Sequence, residues 1–333
     1  MPRKIEISHR TIIFAVIFLI FIYFLYIVRD IILELYIALL LMAVLDPLVT
    51  RLTKFRIPRG ISVLLTYLVV FGVFGSIIGS IVPPLVEQTT SFAKSLPGYL
   101  ENIGVAQFLS EGIITEGISQ LGSVPGQVLR VGVSVLSNFV TILTILTFSF
   151  YLLLTREKIN DQLGLFFGDQ RKKKIGDLLD DLEIRLGGWA RGQLLLMFIV
   201  GLATYLGLTL LGIPFSLPLA LLAGIFEIIP YLGPIFAAVP AVLIGLGISP
   251  VMGLTVAALA LAIQQLENYV LVPKIMEKSI GLSPIVILIA LAIGARLAGV
   301  VGMLISVPGV ITIQLMIKHY LASRESSEKP QLA

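Results

Sequence analysis

Apolar residues run through this chain in blocks of about twenty, and polar residues gather in the gaps between them. A block of that length crosses the roughly 30 Å hydrocarbon core of a bilayer as one helix. The first half reads as four such helices, at 11–28, 31–50, 61–82 and 131–154. The second half adds a helix at 192–211 and another at 251–271. Two longer apolar stretches, 212–247 and 280–317, are interrupted near their middles. In the first, Glu227, Pro230, Gly233 and Pro234 break the run; in the second, Arg296 does so among Gly294, Gly299 and Gly302. Backbone that leaves helical geometry at membrane depth is tolerated only where protein buries it or a cavity receives it. Folded back on itself, each stretch gives two arms of about 14 residues, roughly 21 Å long and too short to cross. The expected fold is therefore an all-α integral membrane protein with about six spanning helices plus two broken, re-entrant helical hairpins, eight apolar segments in all.

Composition agrees with the pattern: 57% of residues are hydrophobic, 13% charged, and the mean hydropathy is +1.01. A soluble globular domain does not have that balance. The opening MPRKIEISHR leads into an apolar block without a small-residue cleavage site, which predicts a retained first helix. Positive residues then orient the spans. Arg3, Lys4 and Arg10 precede the first helix, Arg51, Lys54, Arg56 and Arg59 follow the second, and 155–191 carries Arg156, Lys158, Lys172, Lys173 and Lys174. The positive-inside rule places these loops and both termini in the cytoplasm of a multi-pass protein of the cell membrane. The organisation read from this is helices one to three over 1–82, an external amphipathic segment over 83–130, a fourth helix at 131–154, a cytoplasmic helical segment over 155–191, a helix-hairpin-helix-hairpin core over 192–317 and a cytoplasmic tail over 318–333.

Several chemistries are excluded. The chain has no cysteine, so disulfides, thiolate metal sites and cysteine nucleophiles are absent. His9 and His319 flank the apolar spans as interfacial side chains and not as metal ligands. There is no GxxxxGK[ST] loop, HExxH or GxSxG, so neither nucleotide hydrolysis nor an intramembrane hydrolase is indicated, and no cofactor is implied. The net charge of +4 is spread over loops that the positive-inside rule populates and says little about nucleic acid, so the expected partners are the lipid bilayer and a small solute or ion, with no nucleic acid.

Ionisable residues inside spans are expensive and mark pathways by default. Glu227 falls in the last turn of its half-helix, where the helix dipole disfavours a carboxylate, so it should seek a cation, a proton or an arginine. On the hairpin reading IFAAVP at 235–240 aligns with MLISVP at 303–308, an offset that sets Glu227 beside the counterpart of Arg296. Such a match also arises by chance in an apolar sequence; if real, the repeat is inverted, with a site between the two tips as in many secondary transporters. Glu227 and Arg296 would then form either a structural clamp or a switch. Gln264, Glu267 and Asn268 share one face of the 251–271 helix, and serve either a hydroxyl-rich solute or helix packing.

These same segments, GIPFSLPLALLAGIFEIIPYLGPIFAAVPAVL and ENYVLVPKIMEKSIGLSPIVILIALAIGARLAGVVGMLISVP, resemble the signature half of the autoinducer-2 exporter family of permeases. PYLGP falls at 230–234, NxxxxP at 268–273 and GxxG at 299–302. The resemblance implies a membrane protein that exports a small signalling furanone or, in other members, exchanges sodium or lithium for protons, and it implies a homo-oligomer. Three readings follow: an exporter of a small polar organic solute working by alternating access, a sodium (lithium)/proton antiporter with Glu227 as its sodium site, and a non-transporting membrane scaffold.

Overall fold

The computed structural model describes residues 9–102, 139–158, 169–276 and 282–328. The described residues are almost wholly helical and contain no strand. The elements are α1 (His9–Lys54), α2 (Arg59–Asn102), α3 (Phe139–Thr155), α4 (Asp169–Leu210), α5 (Ser216–Phe226), α6 (Leu232–Ile248), α7 (Pro250–Leu266), α8 (Val272–Met276) and α9 (Pro284–Glu328). Among the described residues, five helical stretches are long and apolar enough by length and composition to cross a membrane, α9 being counted as one across its break, and three shorter apolar helices accompany them. Large apolar side chains such as Phe14, Phe18, Leu68 and Leu254 are exposed along these helices, a surface that only lipid or another apolar partner can cover.

Three boundaries differ from those read in the sequence. The expected pair 11–28 and 31–50 is one helix, because no glycine or proline lies between His9 and Asp46 and nothing ends the helix at Arg29–Asp30. The third helix runs on through Pro83–Pro84 to Asn102, so the first part of the expected external segment is helical continuation; 103–138 lies outside the described residues. From Asp169 on, the segment expected to be cytoplasmic and the helix after it are likewise one element, α4. Gly187 there ends nothing. A Cβ on it would lie 2.3 Å from the carbonyl oxygen of Ala43, so this glycine lets α4 approach the backbone of α1. Arg191 Nη1 donates to the same carbonyl at 2.7 Å.

The two broken stretches fold as expected, into helical hairpins. α4 ends at Gly212 in the left-handed region (φ 68°), with the N–H of Ile213 donating to Leu208 O at 2.9 Å, so the chain turns sharply into α5. α5 and α6 run antiparallel, packing Leu219 near Ala241 and Ile244. In α9 the helix breaks at Ala298 and Gly299 (φ 58°), and the arms 284–297 and 300–328 fold back together. Gly294 and Gly302 touch backbone to backbone at this tip, where a Cβ on Gly302 would lie 1.9 Å from Gly294 O. Ile287 and Leu291 of one arm then meet Val307 and Ile311 of the other in a core completed by Leu186, Trp189 and Leu196 of α4.

Candidate functional site

The helix α5 stops at Phe226 because four residues on, Pro230 begins a turn that the helical ladder cannot continue. Glu227 caps its C-terminus. Tyr231 sits at φ 67°, a strained conformation for a residue with a Cβ, and Gly233 follows where a Cβ would lie only 1.8 Å from Phe226 O. Pro234 then occupies the first turn of α6, where a missing N–H costs nothing. The tip is tied to α4 by Gln193, whose Nε2 donates to the Glu227 carbonyl at 2.7 Å.

Opposite the tip, the expected continuous helix at 251–271 contains a π-helical turn over Glu267–Leu271. Pro273 accounts for it: the ring lacks a donor and would clash with the carbonyl of Tyr269, and one extra residue in the turn relieves both. The turn brings Glu267 inward. Glu227 is 2% exposed and Glu267 4%, and their carboxyls lie within interaction range of each other.

Both carboxyls line a cavity of about 360 Å³ with Trp189, Gln193, Pro230, Tyr231 and Asn268, closed on its apolar side by Met276, Ile287 and Val307. Among the described residues no lysine, arginine or histidine lines it. Gln264 Nε2 donates to Glu267 Oε2 at 3.2 Å, whereas Glu227 Oε2 and Trp189 Nε1 are buried without a hydrogen-bond partner among the described residues. Two buried carboxyls with no counter-cation are costly unless a proton or a cation joins them. The site can therefore take up and release a small positive charge beside a space large enough for a small organic molecule.

Of the residues singled out in the sequence, Glu227, Pro230, Glu267 and Asn268 meet at this cavity. Gln264 and Pro234 line an adjoining narrower one of about 40 Å³, and Gly233 is buried beneath the turn. Arg296 is not part of the site. It is exposed near the tip of the second hairpin, which contributes the middles of its arms, Ile287 and Val307, to the cavity. The partner of Glu227 is another acid, so the expected Glu227–Arg296 pair between two facing tips is not formed. The alignment of the two hairpins placed the residues at matching positions along their own chains but carried no information about how the hairpins pack. Trp189, Gln193 and Tyr231 were missed. An indole and an amide four residues apart in GWARGQLLL, on one face of an otherwise apolar helix, were the available signal for the first two.

The family model described as AI-2E family transporter matches residues 12–322. The chain belongs to this family. A Bacillus subtilis protein named "Putative transport protein YrrI" is 29% identical over 90% of this chain and 89% of its own length. A second protein from that bacterium, YueF, is 27% identical over 78% of this chain and 76% of its own. A similarly named transport protein of Mycobacterium tuberculosis is 28% identical over 82% and 78%, respectively. Membership of the AI-2E family and the long apolar helices together make the chain a multi-pass membrane protein of a transporter family.

Proposed function

We propose that this AI-2E family member is a secondary transporter that exports a small polar organic solute from the cytoplasm, with Glu227 and Glu267 as its coupling carboxyls. The observation that carries this reading is the cavity itself: about 360 Å³, walled by broken backbone, and holding two buried acids with no basic side chain among the described residues of its lining. Its polar groups are few, coming from α4, the first hairpin's tip and the π turn, and apolar Leu196, Met276 and Ile287 supply the remainder, a lining that suits a hydroxylated ring such as a signalling furanone. The carboxyls, alternately protonated and ion-bound, would couple solute movement to an ion gradient. The basic ends of α1 and α4 would face the cytoplasm of the cell membrane.

The acid pair also favours a second reading, sodium (lithium)/proton antiport without an organic solute. Purified protein in proteoliposomes separates the two. Efflux of a labelled furanone driven by a proton or sodium gradient, and lost in Glu227→Gln, supports the exporter. Sodium-driven pH change with no solute movement supports the antiporter instead.

A further inference from the structure

One face of α4 carries Trp189, Gln193 and Leu196 along the wide cavity, then Val200, Thr204 and Leu208 along the narrow one. Their spacing of three and four residues is a single helical stripe, so the two cavities lie end to end along α4. The opposite wall repeats the arrangement. Val256, Ala260 and Ile263 of α7 face the narrow cavity, and beyond the π turn Val272 and Met276 face the wide one. Glu267 is shared by both linings. From Trp189 to Leu208 the stripe covers about 28 Å at 1.5 Å per residue, close to the roughly 30 Å of a hydrocarbon core.

We infer that the two cavities are the two halves of one permeation route, divided at Glu267, and that the narrow half is its closed leg. Ala223 of α5 and Ala237, Ala238 and Ala241 of α6 wall that leg from the first hairpin. Opening it requires the hairpin to draw away from Ala260 of α7, and short side chains let these surfaces part without unthreading interlocked knobs. The hinge is the α6–α7 corner. There Ser249 caps α7 by accepting from Met252 N at 3.0 Å, and Gly245 packs so closely on α7 that its Cβ would lie 3.0 Å from Gly253 Cα. The nature of the solute rests on the transport reading above; the course of the route does not.

The absence of native cysteine makes the route directly testable. Thr204→Cys and Ala260→Cys probe the narrow leg, Asn268→Cys the wide one, each in full-length protein in proteoliposomes exposed to a small, membrane-impermeant, thiol-reactive cation from one side at a time. The expected result is modification of Asn268→Cys from one face and, more slowly because the leg must first open, of Thr204→Cys and Ala260→Cys from the other, with Ala260→Phe cutting any solute or ion flux at least tenfold. Modification of all three from one face would mark a blind vestibule and overturn the route. So would labelling of the narrow-leg cysteines only by a lipid-soluble maleimide, which would mark a lipid-filled crevice. If neither solute nor ion moves in the unsubstituted protein, the transport reading falls, while the labelling pattern still decides the route.

Discussion

Two regions of this molecule hold buried charge, and they treat it in opposite ways. Where α1, α2, α3 and α4 converge, acids meet guanidinium groups. Arg59, its side chain 11% exposed, donates to Asp46 at 2.7 Å, to Glu157 at 2.6 Å and to the Leu153 carbonyl at 2.6 Å. Arg156 does the same for Asp180, at 2.5 Å, and for Glu183. At the cavity, Glu227 and Glu267 face each other with no cationic side chain among the described residues of the lining. Charge compensated within the fold holds helices together. The acids of the cavity have no such partner among the described residues, which is what the proposed coupling to an ion gradient requires of them.

The sharpest way to break this contrast is Glu227→Gln. We expect loss of coupled flux in proteoliposomes together with a melting temperature that is unchanged or higher, since the amide removes a buried charge without leaving a partner stranded. A fall in stability would mean that the acid is structural, like those around Arg59. Arg59→Ala should do the reverse, costing about 2 kcal/mol in denaturant unfolding because Asp46 is left with the Thr50 hydroxyl and the Leu153 carbonyl loses a charged donor. Transport by the protein that remains folded should be little altered. Glu157→Ala tests the exposed edge of the same cluster; its side chain is 67% exposed, so a loss of about 0.5 kcal/mol is expected. The smallest effect belongs to Arg296→Ala, an exposed side chain with no ion pair among the described residues, at under about 0.5 kcal/mol. The exchange Glu227→Arg with Arg296→Glu should likewise fail to restore transport; rescue would show that the two meet in another conformation.

The two hairpins were legible from sequence because their breakers are local. Pro230 stands in the turn just past the end of α5 and Pro234 in the first turn of α6, where a missing N–H is tolerated, and Gly299 adopts φ 58° at no steric cost. The acids were legible for an equally local reason, the expense of a carboxyl in an apolar run. The long helices were less so. Arg29–Asp30 and Gly187–Gly188 have the composition of a connection, but a charged pair does not stop a helix, and Gly187 serves the contact with Ala43 instead.

Helix content, membrane residence, the breaks and the candidate acids thus follow from residue type and spacing along the chain, since each is settled by backbone stereochemistry or by transfer from water to lipid within a single segment. Which acid meets which partner does not. That depends on how two hairpins pack against α4 and on a π turn that rotates Glu267 inward ahead of Pro273, and these are set by contacts among residues far apart in sequence. An internal alignment paired Glu227 with Arg296; packing paired it with Glu267 and so turned a neutral clamp into an acidic cavity.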